Sequence, residues 1–274
     1  MRLATVRTAG STAAARLDGD EYVVLDAPDL TTMLARSDWQ AAAQADGGRL
    51  PAEATALDPA VRPTKTLCVG LNYRSHILEM GRELPEHPTL FGKFSDALTG
   101  PYDPITLPRV SEKVDWEVEL GVVIGRAARH VTAAQAPDHI AGYTVVNDVS
   151  MRDWQRRTAQ WLAGKNFEAS TPVGPVLVTP DELDHARDLE LSCLVDGETM
   201  QKSRTRDLLF SPADVIAYAS QFITLRPGDL ICTGTPGGVA AARENQPFVR
   251  DGQTVTVTVE GIGSCVNPFH EERP

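Results

Sequence analysis

Residues Val114 to Gly125 (VDWEVELGVVIG) constrain the fold of this chain more than any other stretch. Val114, Val118, Leu120, Val122, Val123 and Ile124 supply the apolar and β-branched residues of a buried strand. Two carboxylates, Glu117 and Glu119, interrupt it. Side chains in a strand alternate faces, so residues two apart share one face. Like charges side by side are unfavourable unless something positive separates them. That partner is solvent and salt, a Lys or Arg, or a metal ion.

The 274 residues leave room for one large domain with a small companion. Against 26 basic residues stand 37 acidic ones, a formal charge of -11, which argues against nucleic acid or an anionic membrane as the main partner. No apolar run approaches the ~18 residues of a membrane span. The N-terminus lacks the apolar core of a secretory signal. Cys68, Cys193, Cys232 and Cys265 occur singly in apolar contexts. They read as buried thiols of a cytoplasmic protein.

Residues 1–62 are expected to form a small N-terminal domain, with short strands and a helix over 30–45 stopped by Gly47-Gly48. Residues 63–274 form the main domain. The segment from Tyr73 to Pro88 reads as a loop holding one or two helical turns near His76. The run GYTVVNDVS is a second buried strand ending in Asp148. Ser150 is expected to cap a helix starting at Met151, with Asp153 as an acidic capping partner, that runs through Trp154 and Gln155 toward Trp161. Asp196-Gly197 signals a hairpin, and a helix is expected over Ser211–Phe222. Strands outnumber helices, which predicts an α+β, mostly β fold with a mixed or antiparallel sheet.

Three carboxylates without Cys or His, Glu117, Glu119 and Asp148, suit Mg²⁺, Mn²⁺ or Ca²⁺ better than zinc. Spacing alone leaves a solvated sheet face equally open. His76 and Glu79 lie three apart and share one side of a helical turn. A carboxylate beside an imidazole suits a general base that activates water; an idle exposed pair is the alternative. Lys165 (AGKNF) and Lys93 (FGKF) are charge partners for the acids or ordinary snorkelling lysines. Arg152 and Gln155 share one side of the helix after Asp148, placed to hold a substrate carboxylate or carbonyl or to face water. The glycines of the Gly234–Gly238 loop let backbone N–H groups approach an anion closely or form an ordinary tight turn; it is not a phosphate-binding P-loop, because no Gly-Lys-Ser/Thr follows.

In order, GLNYRSHILE, FGKFSDALTGP, VDWEVELGVVIG, GYTVVNDVSMRDWQ, WLAGKNFEASTPVGP and PGDLICTGTPGGV closely resemble the fumarylacetoacetate hydrolase family. The resemblance spans roughly Pro63 to Asn267. It implies a mixed β-roll, sandwich-like fold and a homodimer. It implies Mg²⁺ or Mn²⁺ (Ca²⁺ as a further option) on Glu117, Glu119 and Asp148, with Lys165 beside the metal. His76 and Glu79 match a dyad on a flexible lid, and Arg152, Gln155 and Thr235 match substrate-site residues. Glu168, where Asp is more usual, and GVAAARENQPF depart from the pattern at the expected pocket rim. The implied substrate is a small keto acid. The implied activity is metal-dependent hydrolysis of a C–C bond in a 2,4-diketo acid of acylpyruvate or fumarylpyruvate type. The alternatives are a lyase or isomerase, acting by decarboxylation of oxaloacetate or a dienol tricarboxylate or by tautomerisation of a 2-hydroxydienoate diacid, and a non-catalytic protein that binds metal and keto acid.

Overall fold

The structure, a computed structural model, describes residues 1–79 and 81–273. The N-terminal strands are β1 (Arg2–Thr8), β2 (Ser11–Asp18), β3 (Glu21–Val24) and β4 (Arg49–Pro51), with helices α1 (Leu30–Leu34) and α2 (Trp39–Ala42) between the last two. Then come β5 (Thr66–Gly70), α3 (Arg74–Glu79), β6 (Thr89–Lys93), β7 (Leu98–Thr99), β8 (Ile105–Leu107), β9 (Val114–Asp115) and β10 (Val118–Ile124). The middle holds β11 (Ile140–Asn147), β12 (Ser150–Met151), α4 (Arg152–Gln155), α5 (Leu162–Lys165) and β13 (Thr171–Val178). The chain closes with β14 (Glu190–Val195), β15 (Glu198–Arg204), α6 (Pro212–Ser220), β16 (Leu230–Cys232), β17 (Thr254–Val259) and β18 (Gly263–Glu271).

One large sheet runs β4-β3-β2-β1-β13-β11-β10-β16-β5-β6, with β7 beside β13. A five-stranded sheet runs β15-β14-β17-β18-β8, and β12 pairs with β9. Pairing is antiparallel except for β16–β5, β13–β7 and β18–β8, so the fold is α+β, mostly β, with mixed sheets. The strands of residues 1–62 continue the large sheet through β1 and β13, where Leu3 faces Leu177.

The large sheet is covered on both faces, which is why β10 and β11 read as nearly continuous apolar runs. On one face Leu120, Val122 and Val145 join Val255, Val257 and Phe269 of the five-stranded sheet. On the other, Val123, Val146 and Leu177 meet Leu30, Met33 and Leu34 of α1. The four cysteines are free and buried. No described helix is long and apolar enough to cross a membrane.

The central stretch is two strands rather than one. Between β9 and β10, three successive N–H groups bond to side chains instead of a neighbouring strand. Trp116 donates to Asp115 Oδ1 (2.9 Å), Glu117 to Asn147 Oδ1 (3.0 Å) and Val118 to Gln201 Oε1 (3.0 Å). Glu117 therefore sits in a break ahead of β10, and only Glu119 belongs to the strand.

The helix expected over 30–45 is divided into α1 and α2. Asp29 caps the first by accepting from Thr32 N–H at 2.7 Å, and Asp38, gripped by Arg36, opens the second. The helix expected after Ser150 is also short. Ser150 lies in β12 and donates to the Asp148 carbonyl, while Asp153 accepts from Ser111. Neither is free to cap, and α4 ends at Gln155. Asp196-Gly197 forms the expected hairpin turn, both residues having positive φ as a type I′ turn requires.

Helix α6 starts as expected but stops at Ser220, leaving Phe222 beyond its end and exposed. A full capping box holds its start. The Ser211 hydroxyl accepts from Asp214 N–H, and the Asp214 carboxylate accepts from Ser211 N–H at 3.0 Å. Ser211→Ala should therefore lower unfolding stability by about 1 kcal/mol, read as a lower urea midpoint with an unchanged slope.

Candidate active site

The Glu117, Glu119 and Asp148 carboxylates converge where the break before β10 meets the end of β11. One oxygen from each lies within 4.8 Å of the others, and all three residues are buried. The strand break turns Glu117 toward Glu119, and Asp148 N–H donates to the Glu117 carbonyl at 2.9 Å. These are oxygen donors of the kind a hard divalent ion takes.

Three buried cations offset the acids. Lys165, from the end of α5, places Nζ 2.6 Å from both Glu117 Oε2 and Asp148 Oδ2. Lys93, from the end of β6, donates to Asp148 Oδ1 at 2.6 Å and to the Lys165 carbonyl. Arg152 donates through Nε to Asp115 Oδ2 (2.8 Å) and through Nη1 to Gln155 Oε1 (2.9 Å). Its Nη2 lies 2.6 Å from Glu117 Oε1, a charge contact without hydrogen-bond alignment. Neither lysine is at the surface.

Burial alone would raise the Asp148 carboxyl, but the charges of Lys165 and Lys93 outweigh it and bring it down to about 2. Burial alone would lower Lys165 and Arg152, yet the carboxylates around them raise both above their ordinary values. Asp148, Lys165 and Arg152 are thereby held ionised.

Glu119 is the exception. It is 1% exposed and has no cationic partner among the described residues. It accepts one hydrogen bond, from Gly234 N–H at 2.8 Å. Burial, with the charges of Asp148 and Glu117 added, pushes its carboxyl well above the usual range. A buried carboxylate beside two others, lacking its own cation, is where a divalent ion removes the largest electrostatic penalty. The residues present fit such an ion.

A cavity of about 510 Å³ opens over this cluster. His76, Glu117, Glu119, Arg152, Gln155, Lys165 and Thr235 all line it. Thr235 Oγ1 accepts from Gln201 Nε2 at 2.8 Å, which leaves its own proton free to be donated. The Gln155 carbonyl faces Arg152, which leaves its amide N–H groups to the cavity. Arg152 is spent on protein partners.

His76 sits on α3, half-buried at the wall. Burial lowers its pKa below the ordinary 6.5, and the Glu79 and Glu117 charges offset this only in part. The imidazole is thus neutral at pH 7. Glu79 is exposed and does not line the cavity. No His76–Glu79 hydrogen bond forms, although both approach Gly237, where an added Cβ would lie 3.2 Å from His76 Nδ1 and 3.3 Å from Glu79 Oε2.

Three contributors, Asp115, Asn147 and Gln201, escape the sequence reading, and a fourth, Gly234, lies in the loop whose N–H groups could meet an anion. Asp115 accepts from Arg152 and from the N–H groups of Ala240 and Ala241. It ties the glycine loop to the acid cluster, and its only sequence signal is its place two residues before Glu117. Asn147 and Gln201 hold the strand break through backbone N–H groups, a role with no local pattern. Gly234, at φ +94, admits no side chain, since a Cβ there would lie 2.7 Å from the Val69 carbonyl. The loop thus serves Glu119 directly. Of the two departures, Glu168 is exposed and lines a separate shallow surface pocket, whereas Val239, Ala241 and Ala242 do line the cavity.

The family model for the fumarylacetoacetate (FAA) hydrolase C-terminal region matches residues 65–270. The chain belongs to the fumarylacetoacetate hydrolase family. A Rattus norvegicus protein named oxaloacetate tautomerase Fahd2a, mitochondrial, is 46% identical over 216 residues, 78% of this chain and 69% of that one. The 5-carboxymethyl-2-hydroxymuconate delta-isomerase of Mycobacterium smegmatis superposes with a TM-score of 0.85 at 35% identity, covering 99% of this chain and 100% of that one. The fumarylacetoacetate hydrolase of Exiguobacterium antarcticum does so at 0.87 with 29% identity and the same coverage. These names are of enzymes, and two of the three denote isomerisation rather than hydrolysis.

Glu119→Gln should weaken Mg²⁺ or Mn²⁺ binding, measured calorimetrically, by more than the roughly 10–100-fold typical of groups that only support a ligand; an unchanged affinity would remove Glu119 from the metal set. A pH series of kcat/KM at saturating Mg²⁺ reads His76. With its neutral form as the expected base, activity should be present above its pKa and lost as pH falls through it. The acid limb should lie below 6.5, and Glu79→Gln, by removing a charge that raises His76, should move the limb lower still.

Proposed function

We propose that this protein is a divalent-metal-dependent tautomerase that interconverts the keto and enol forms of a 2-keto acid. The observation that carries this reading is the single uncommitted base of the cavity: a neutral imidazole at His76, not hydrogen-bonded to Glu79, above a cluster built for developing negative charge. Moving a proton between carbon and oxygen needs one base and one enolate-stabilising centre. Splitting a C–C bond with water needs in addition an oriented, activated water. The relatives named for tautomerisation and isomerisation support this order. Hydrolysis of a 2,4-diketo acid, the main expectation from the sequence, becomes the second reading, favoured by the likeness to the Exiguobacterium hydrolase.

Glu117, Glu119 and Asp148 would hold the ion. Bound there, Mg²⁺ or Mn²⁺ supplies Lewis-acid stabilisation of the enolate oxygen. Gln155 N–H and the Thr235 hydroxyl orient the keto-acid head. His76 takes the proton from the carbon beside the ketone and returns it to oxygen, or the reverse. Lys165 stays charged next to the acids and holds Glu117 and Asp148 in place. Phe91, Trp161 and Val239 on the cavity wall exclude water from the reacting carbon. The four buried thiols suit a reducing compartment, which the cytoplasm and the mitochondrial matrix both provide.

The deciding experiment follows enol-oxaloacetate decay by absorbance, with products identified by mass spectrometry. Mg²⁺ should accelerate ketonisation, EDTA should abolish the acceleration, and His76→Ala should cost roughly 10²–10⁴-fold while metal affinity persists. Cleavage of acylpyruvates without any effect on oxaloacetate ketonisation would reverse the two readings.

A further inference from the structure

Four basic residues line the cavity: Arg82, Arg152, Arg156 and Lys165. Two are spent. Arg152 serves Asp115, Glu117 and Gln155, and Lys165 bridges Glu117 and Asp148. The guanidinium groups of Arg82 and Arg156 are different. Both residues are exposed, and neither group has an ion pair or hydrogen bond among the described residues. Arg7, Arg36, Arg49, Arg62 and Arg204 are each paired with a carboxylate, whereas Arg82 and Arg156 line one cavity with no such partner among the described residues.

Their backbones are placed independently. Helix α3 ends in a Schellman turn: Gly81, at φ +66, donates to the Leu78 carbonyl (2.9 Å), and Arg82 N–H donates to the Ile77 carbonyl (3.2 Å). That turn returns the chain toward His76, so Arg82 and the base share one wall. Arg156 follows Gln155 at the end of α4, its N–H bonded to the Arg152 carbonyl at 3.2 Å. Two segments distant in sequence bring one free positive charge each to the same space.

Charge within the cluster points the same way. Asp115, Glu117, Glu119 and Asp148 are four buried carboxylates against three buried cations, Lys93, Arg152 and Lys165. A divalent ion converts one net negative charge into one net positive charge, which balances a single substrate carboxylate. A second carboxylate finds no free cation in that cluster. Apolar Phe91, Trp161 and Leu71 also line the cavity, a surface for a short carbon chain and not for its charge.

We propose that Arg82 and Arg156 bind the distal carboxylate of the substrate, so that the site selects 2-keto dicarboxylates over 2-keto monocarboxylates. This rests on the keto-acid reading above and names the substrate class within it. Arginine suits the task through its planar, bidentate fork.

The test compares two probes of equal chain length, 2-oxoglutarate and 2-oxopentanoate, which differ only in the distal carboxylate. Their dissociation constants are measured by calorimetry on the Mg²⁺-loaded protein. The wild type should prefer 2-oxoglutarate at least about tenfold, the scale of one charge-assisted hydrogen bond. Arg82→Gln and Arg156→Gln should each remove most of that preference, and Arg156→Lys should keep part of it. Arg157→Gln, whose guanidinium instead stacks 3.5 Å from the Trp154 ring centroid, should leave the ratio unchanged. Equal wild-type binding of the two probes, or a full preference in both glutamine variants, overturns the assignment while the keto-acid reading stands. Failure of both probes to bind overturns that reading and this assignment together.

Discussion

Everything in this site depends on burying four carboxylates beside three cations without leaving the acids to repel one another. A buried ion pair is stable only when geometry and further hydrogen bonds repay desolvation. Here Lys93 enters from the end of β6, Lys165 from α5 and Arg152 from α4. Each cation cross-links separate elements of the fold. Asp115 extends the net by binding Arg152 on one side and two N–H groups of the glycine loop on the other. Glu119 is left with a backbone N–H and no cation, and that deficit is the physical argument for a divalent ion.

The break between β9 and β10 is what makes such crowding possible. A continuous pleat would set Glu117 and Glu119 a fixed distance apart on one face. By giving three N–H groups to the side chains of Asp115, Asn147 and Gln201, the backbone leaves the ladder. Glu117 then turns toward Lys165 and Arg152. The hydrogen bonds are not lost but moved from strand to side chain, so the irregularity carries no unsatisfied N–H at depth. The apolar strand beyond it, packed on both faces, holds the break in register.

Stabilising an enolate serves hydrolysis, decarboxylation and tautomerisation alike, so one scaffold hosts several activities. On the proposed reading, the wall formed by α3 and the end of α4 would distinguish them. There a neutral imidazole, an exposed Glu79 and two unpartnered arginines surround the space a substrate fills.

The sequence by itself determined much of this protein. Alternating and continuous apolar runs specify strands because burial follows side-chain periodicity, and β10, β11 and the Asp196-Gly197 hairpin were legible for that reason. Spacing left Glu117, Glu119 and Asp148 open between a metal and solvent, and Lys165 open between a charge partner and a surface lysine; the resemblance of the ordered blocks is what drew them into one site. The lengths of α1, α2 and α4 were not legible. Their ends depend on Asp29, Asp38 and Ser150 bonding to particular neighbours, and for Ser150 that neighbour competed with the cap. Only the tertiary structure could decide that Lys93 is buried against Asp148 and that Arg152 is spent on Asp115. It also decided that Glu119 alone lacks a cation, because each of these facts depends on segments far apart in the chain meeting at one place. Local spacing shows which residues want a partner; which partner each one finds is a property of the assembled fold.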